Sequence, residues 1–305
     1  MEWLRGVIQA SAAGAELAAG ALAAGGISDS EIIDPSEIEG LFSDPDEIIY
    51  VVFYVTGDAA GLEKVRLARE RLAGLLKLEF DEPPGSLKID CAAVGDAIWK
   101  RDWGGFFGPF KIGNVVIAPH WADYIRKQGE AVFRLCAGPV FGTGRHRSTY
   151  SSIEAIQQYL RPGGTFLDIG CGSGILSIVS LLLGAKKAFA YDIDESAIES
   201  TIKNAVNNHI DPEKLELRLG DLMEDARLRA EVRTCRCDIV ASNIFADVLI
   251  SLAPHIDSFM APGGRWISSG VTSEWADEVR AAYAGNGFTI IKEYIQSGWH
   301  TYVAE

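Results

Sequence analysis

The chain has 305 residues, with 28 Lys+Arg against 42 Asp+Glu for a formal net charge of −14, and is 48% hydrophobic and 23% charged. That composition is ordinary for a globular protein and excludes a disordered or fibrous chain, and the length is at the limit of one core, so two domains are expected. The acidity is uneven, 17 Asp+Glu against 7 Lys+Arg in residues 1–90 and 25 against 21 in residues 91–305; it argues against direct nucleic-acid binding, which needs clustered cations, and permits a basic partner.

In chain order, residues 3–9 alternate weakly as a strand. Residues 12–24 form an alanine-rich helix that stops at Gly25-Gly26. Residues 48–56 (IIYVVFYVT) are dense in β-branched and aromatic side chains and predict a strand. Residues 62–76 carry apolar side chains at helical spacing. This order predicts a small α+β unit over residues 1–80, a split β-α-β (ferredoxin-like) arrangement. Asp81-Glu82-Pro83-Pro84-Gly85 marks a break, and the aromatic, glycine-rich run between Trp99 and Trp121 predicts an ordered connector, so 81–121 is taken as linker and connector. Over 122–305 helices and strands alternate. Strands are predicted at 164–169, 187–193, 215–219, 237–242 and 264–268, and helices at 152–160, 175–183, 195–207, 248–259 and 273–284. A hairpin at 288–296 and 299–303 closes the chain. The expected fold is α/β, a doubly wound parallel sheet with an antiparallel edge.

Cys91, Cys136, Cys171, Cys235 and Cys237 are scattered, without C-x-x-C or zinc-site spacing. No metal is expected, and a reduced, cytoplasmic setting is. The N-terminal sequence does not read as a signal peptide. The longest apolar stretch, 175–183, is too short to span a bilayer, so no membrane partner is expected.

The chemistry concentrates in TFLDIGCGSGILSI, where a predicted strand runs through Asp168 into Gly170, Gly172 and Gly174 and directly into a helix. Glycines there let the backbone turn tightly and approach a ligand, with helix N–H groups aimed at it. The spacing is G-x-G-x-G, not the G-x-G-x-x-G of a dinucleotide site, which argues against a nicotinamide dehydrogenase. Asp192 ends the next strand, where a carboxylate can accept both hydroxyls of a ribose. Asp221, after the following strand, can accept from an exocyclic amine. Asn243 closes CDIVASN and can offer an amide oxygen to an amine. Each of these three has an ordinary turn or cap reading as well.

Taken together, these segments resemble the class I S-adenosylmethionine-dependent methyltransferases, with LDIGCGSG as the family's first motif, Asp192 as its ribose-binding acid and Asp221 as its adenine-side acid; Pro262-Gly263-Gly264 before the next strand is also typical. A narrower match covers nearly the whole chain. FGTGRHRST (residues 141–149) and NIFADVLISLAPHI from Asn243 are similar to the bacterial ribosomal protein L-eleven methyltransferases, as are the tryptophan-bearing connector, the N-terminal unit and the Trp299 segment. The resemblance implies S-adenosyl-L-methionine as cofactor, with contacts falling on Thr149, Gly170, Asp192 and Asn243. It implies transfer to lysine or α-amine groups of a basic ribosomal protein, with residues 1–80 as the substrate-recognition domain. Arg145, Arg147 and Ser148, Cys136-Ala137, and Phe245 in place of the usual Leu depart from the family pattern, and they border the substrate side. A related methyltransferase with another protein or small-molecule acceptor, and a non-catalytic cofactor-binding regulatory module, are the alternatives; retained Asn243 and Thr149 argue against the second. An RNA-methylating enzyme would carry Asn-Pro-Pro-aromatic where SNIF stands.

The expected mechanism is in-line displacement by a neutral amine, for which positioning and water exclusion matter more than a strong base. Asn243 is the expected amine-positioning catalytic residue. Ile244, Phe245 and His146 are expected on the substrate side, with loop ordering as the other role open to His146.

Overall fold

The computed structural model describes residues 3–27, 30–33, 49–77, 83–94, 109–120, 122–136, 144, 146–296 and 298–305. The chain divides into two units, Met1–Phe106 and Phe107–Glu305.

In the first unit the elements follow as β1 (Trp3–Ala10), α1 (Ala12–Ala24), β2 (Ser30–Ile33), β3 (Ile49–Thr56), α2 (Ala59–Leu75) and β4 (Ile89–Val94). The antiparallel sheet has the order β2-β3-β1-β4. Both helices begin at an expected cap: the Ser11 hydroxyl accepts the Gly14 N–H at 3.1 Å and the Asp58 carboxylate the Gly61 N–H at 2.9 Å. Ile8, Leu22, Val51, Phe53, Val65, Ala68 and Leu72 form one core under the helices.

The second unit begins inside the segment expected as connector. Strand β4 lies in that segment too, so residues 81–121 supply an edge strand to the first unit and two strands to the second. These are β5 (Phe110–Ile112) and β6 (Val115–Pro119), which pair with β7 (Ala131–Leu135) in a small sheet. The physical reason lies in the pattern: IDCAAV at β4 is poor in β-branched and aromatic residues, and its pairing with β1 decides its conformation. Most of the aromatic run between Trp99 and Trp121 lies outside the described residues.

The large sheet follows, built from β8 (Thr165–Ile169), β9 (Lys187–Asp192), β10 (Leu215–Leu219), β11 (Cys237–Asn243), β12 (Met260–Thr272), β13 (Ile290–Gln296) and β14 (Trp299–Ala304). Its order is β10-β9-β8-β11-β12-β14-β13, parallel from β10 to β12, with β14 antiparallel to both neighbours. Among the described residues six helices pack on it: α3 (Arg147–Tyr159), α4 (Ile175–Leu182), α5 (Glu195–Asn207), α6 (Ala226–Cys235), α7 (Ala246–Ile256) and α8 (Ala276–Gly285). Ile153, Ile156, Leu176 and Val179 of α3 and α4 meet one face through Phe166, Ala188 and Ile239. Leu228, Val232, Leu249, Leu252 and Tyr283 of α6, α7 and α8 meet the other through Leu167, Val240 and Trp266. Covering both faces explains why the central strands read as continuous apolar runs. From β8 the chain winds outward to β9 and β10, then returns to β11 on the other side. The carboxyl ends of β8 and β11 thus flank the switch point, where open α/β sheets bind ligands.

All five cysteines are free thiols. Among the described residues no helix is long and apolar enough to cross a membrane, and no His/Cys/Asp/Glu group could hold a metal ion.

Candidate active site

The turn from β8 into α4 takes its shape from its glycines. Gly170 and Gly174 adopt φ of +78° and +75°, a region L side chains rarely enter. A Cβ on Gly170 would lie 2.4 Å from Ile244 Cγ2, and one on Gly174 would lie 2.6 Å from Thr201 Cγ2. The Gly170 and Cys171 N–H groups donate to the Tyr191 carbonyl at 2.9 and 3.1 Å, which ties the loop to β9. Helix α5 holds it from the other side: Thr201 Oγ1 donates to the Gly172 carbonyl at 3.0 Å and Asn204 Nδ2 to the Ser173 carbonyl at 2.8 Å.

Two carboxylates meet under and beside this loop. Asp192, at the end of β9, accepts the Gly172 N–H on Oδ2 at 2.8 Å and the Asp194 N–H on Oδ1 at 3.0 Å. Asp168 is fully buried in β8. Its Oδ2 accepts both the Ser177 N–H at 3.1 Å and the Ser177 hydroxyl at 2.6 Å, while its Oδ1 has no hydrogen-bond partner. Burial pushes the Asp168 carboxyl up to about 7, the Asp192 charge adding to the effect and the Ser177 bonds opposing it. The Gly220 N–H donates to the Asp192 carbonyl at 2.8 Å, which sets Asp221 beside the same strand end. Asp221 itself closes a turn, its Oδ1 accepting the Met223 N–H at 2.7 Å.

Across the switch point, Asn243 ends β11 and Thr149 lies buried in the first turn of α3. Asn243 Nδ2 donates to Thr149 Oγ1 at 3.2 Å, so the amide carbonyl oxygen is the end left to serve a ligand. Ile244 packs over Gly170 and donates its N–H to the Ser269 carbonyl. Phe245, immediately before α7, is 79% exposed. His146 caps α3: its Nδ1 lies 2.7 Å from Ser148 Oγ, and its ring meets Trp299 edge-on at 4.5 Å. Burial pulls the His146 imidazole down to about 4, so it is neutral throughout the physiological range. These contacts make His146 the cap of α3. Beneath it, the Ser148 carbonyl accepts from the hydroxyls of Ser152 and Ser269, which anchors α3 to β12.

The switch point is rich in acceptors: the Asp192 and Asp221 carboxylates and the Asn243 amide oxygen, with Asp168 Oδ1 buried beneath the loop. S-adenosylmethionine carries an ammonium, a sulfonium, two ribose hydroxyls and an exocyclic amine, and needs acceptors for these donors and cations. The unpartnered buried oxygen of Asp168 fits a cationic ligand of this kind.

Ser177, Thr201 and Asn204 escaped the motif reading although they shape the loop. Their signal was available. Ala197, Ser200, Thr201 and Asn204 are the buried stripe of α5 at i, i+3, i+4 and i+7, where an amphipathic helix normally carries apolar side chains. A polar stripe there announces hydrogen-bonded contacts.

Comparison with known proteins agrees with the geometry. The family model described as ribosomal protein L11 methyltransferase (PrmA) matches residues 2–305. A protein named ribosomal protein L11 methyltransferase from Lachnoclostridium phytofermentans is 32% identical over 332 residues, covering 100% of this chain and 99% of its own. One of the same name from Alkaliphilus oremlandii is 31% identical over 319 residues, again covering 100% and 99%. Among solved structures, a ribosomal protein L11 methylase from Lactobacillus delbrueckii subsp. bulgaricus aligns with a TM-score of 0.59 at 27% identity, over 65% of this chain and 98% of its own. With the glycine turn, the paired carboxylates and the Thr149–Asn243 contact assembled at one switch point, the chain belongs to the ribosomal protein L11 methyltransferase family.

Proposed function

We propose that this protein is an S-adenosylmethionine-dependent N-methyltransferase acting on lysine or α-amine groups of ribosomal protein L11. The carrying observation is the Asn243 amide, held by Thr149 at the carboxyl end of β11 with its oxygen left for a ligand.

The cofactor supplies a methyl group on a sulfonium, activated toward displacement. Gly170, Gly172 and Gly174 would bring the backbone against it, Asp192 would accept from its ribose, Asp221 from its adenine side, and Asp168 would answer its positive charge. Thr149 and Asn243 complete the boundary facing the acceptor. The nucleophile must be a neutral amine, and a lysine, with an ordinary pKa of about 10.4, sheds its proton on entering a dry site. The Asn243 Oδ1 then accepts an N–H of that amine and aims its lone pair along the displacement axis, which lowers the orientation cost of the reaction. Ile244, packed on Gly170, would help keep water from the reacting centre. Phe245, exposed at the mouth, offers its ring to the aliphatic stem of the incoming lysine.

The first unit acts as a ferredoxin-like substrate-recognition domain. Its charge excess favours a basic protein over nucleic acid. The setting is the cytoplasm, where ribosomal proteins are available. Incubation with methyl-labelled S-adenosylmethionine and isolated ribosomal protein L11, followed by mass spectrometry, tests the reading. Methylated lysine or α-amine on that protein is expected. Labelling only of other proteins or small molecules would replace the acceptor, and no labelling of any acceptor despite cofactor binding would leave a regulatory module.

A further inference from the structure

The two oxygens of Asp168 are treated unequally, and the unpartnered one is buried. Oδ2 is satisfied twice by Ser177, at the first turn of α4, whereas Oδ1 is fully buried and bonded to nothing. A buried ionised oxygen without a donor is costly, and a carboxyl in that position escapes the cost by holding a proton. Its neighbours reinforce this. The paired strands flank it with Ala190 of β9 and Ala241 of β11. The titratable groups that face it are Asp192 from β9 and the Cys171 thiol in the glycine loop, both acidic. Cys171 is itself pushed well above its ordinary value, first by burial and then by the charge of Asp168.

We propose that Asp168 holds a proton in the ligand-free protein and releases it when a positively charged group of the cofactor arrives beside Oδ1, so that cofactor binding is coupled to proton release. The proposal rests on the S-adenosylmethionine reading above. The balance is simple: the O–H bond of the neutral carboxyl breaks, the proton passes to solvent, and the carboxylate left behind is compensated by the ligand cation. The burial-raised carboxyl, at about 7, puts this exchange in the physiological range. Only the ionised form pairs with the ligand, so affinity rises with pH through that range and levels off above it.

The test is calorimetric titration of the full-length protein with S-adenosylmethionine, without acceptor, in phosphate and in Tris at pH 7, compared with Asp168→Asn. Pairing with ionised Asp168 can only raise the pKa of the ligand's own amine and so add proton uptake in the wild type, which leaves an excess of proton release there to report Asp168. The wild type is expected to release more protons than the variant, visible as a larger buffer dependence of the binding heat. Its affinity should also fall about tenfold more than the variant's between pH 8 and pH 6. A second measurement needs only wild-type protein: the infrared carbonyl band of a buried protonated carboxyl should be present at pH 6 and vanish on adding S-adenosylmethionine. Binding with identical buffer dependence in both proteins, or an infrared band that is absent or persists, overturns the proposal alone. No binding at any pH overturns the cofactor reading and this proposal with it.

Discussion

Asn243 and Asp168 carry opposite kinds of consequence. Asn243 acts through where its amide points, and that direction comes from Thr149, 94 residues away in sequence. Asn243→Ala is expected to slow methyl transfer on the order of a hundredfold, the cost of a misplaced reactant, while cofactor affinity changes little. Single-turnover kinetics beside a cofactor titration separates the two, and equal losses in both would assign Asn243 to cofactor binding alone. Asp168 acts through its environment, and the same burial has a stability cost. Its carboxyl rises from an ordinary 3.8 to about 7 on folding. The stability it contributes is therefore complete below the unfolded value and is lost as pH rises from about 4 through about 7. Asp168→Asn should melt higher than wild type at pH 8, by an effect on the order of a few kcal/mol, and the gap should close toward pH 5. Thermal melting of the ligand-free proteins across that range measures it; a gap independent of pH would show that ionisation is not the cause. Residue types at Asp168, Asp192 and Asn243 were legible from their places at strand ends. The Thr149 contact, the missing donor at Asp168 Oδ1 and the burial of His146 were not, because each depends on what other elements bring near.

Helix α5 joins two parts of the second unit with asparagines. Asn204 donates to the Ser173 carbonyl at 2.8 Å and accepts the Cys136 N–H at 2.7 Å. Asn208, at its C-cap, accepts the Arg134 N–H at 2.6 Å and returns a bond to the Arg134 carbonyl at 2.8 Å. Asn207 donates to that carbonyl as well, at 2.9 Å. The side chains thus serve the free edge of β7 as a neighbouring strand would, and tie the small sheet to the glycine loop. Asn204→Ala removes both bonds, at about 1 kcal/mol each. The expected result is a lower denaturation midpoint together with weaker cofactor binding; a fall in stability with unchanged cofactor affinity would detach this clamp from the loop. Strands β8, β9 and β11 were legible because they are fully buried and read as apolar runs. Strand β7 and helix α6 were not recognised, and β4 lay hidden in a segment read as connector, because short elements with mixed patterns take their conformation from pairing and packing.

At the scale of the whole molecule the charge is divided as the units are, with most of the acidity in residues 1–90. Reversing exposed carboxylates there, for instance Glu63→Lys, Glu70→Lys and Asp90→Lys together, is expected to raise the KM for a basic protein acceptor severalfold and to leave cofactor affinity unchanged. The wild-type KM should in turn be the more sensitive to added salt, since exposed charges are screened. Initial-rate kinetics at low and high ionic strength checks both, and an unmoved KM would return the acidity to plain solubility. The sequence by itself determined the class of the sheet, the glycine turn and the acidic and amide residues at its strand ends, because strand-helix alternation and backbone permissiveness are local properties of the chain. Only the tertiary structure decided which oxygen of Asp168 lacks a donor, which end of the Asn243 amide is left for a ligand, and how the small sheet is tied to the loop. Those follow from desolvation and from hydrogen bonds between residues distant in sequence, which exist only once the strands lie side by side.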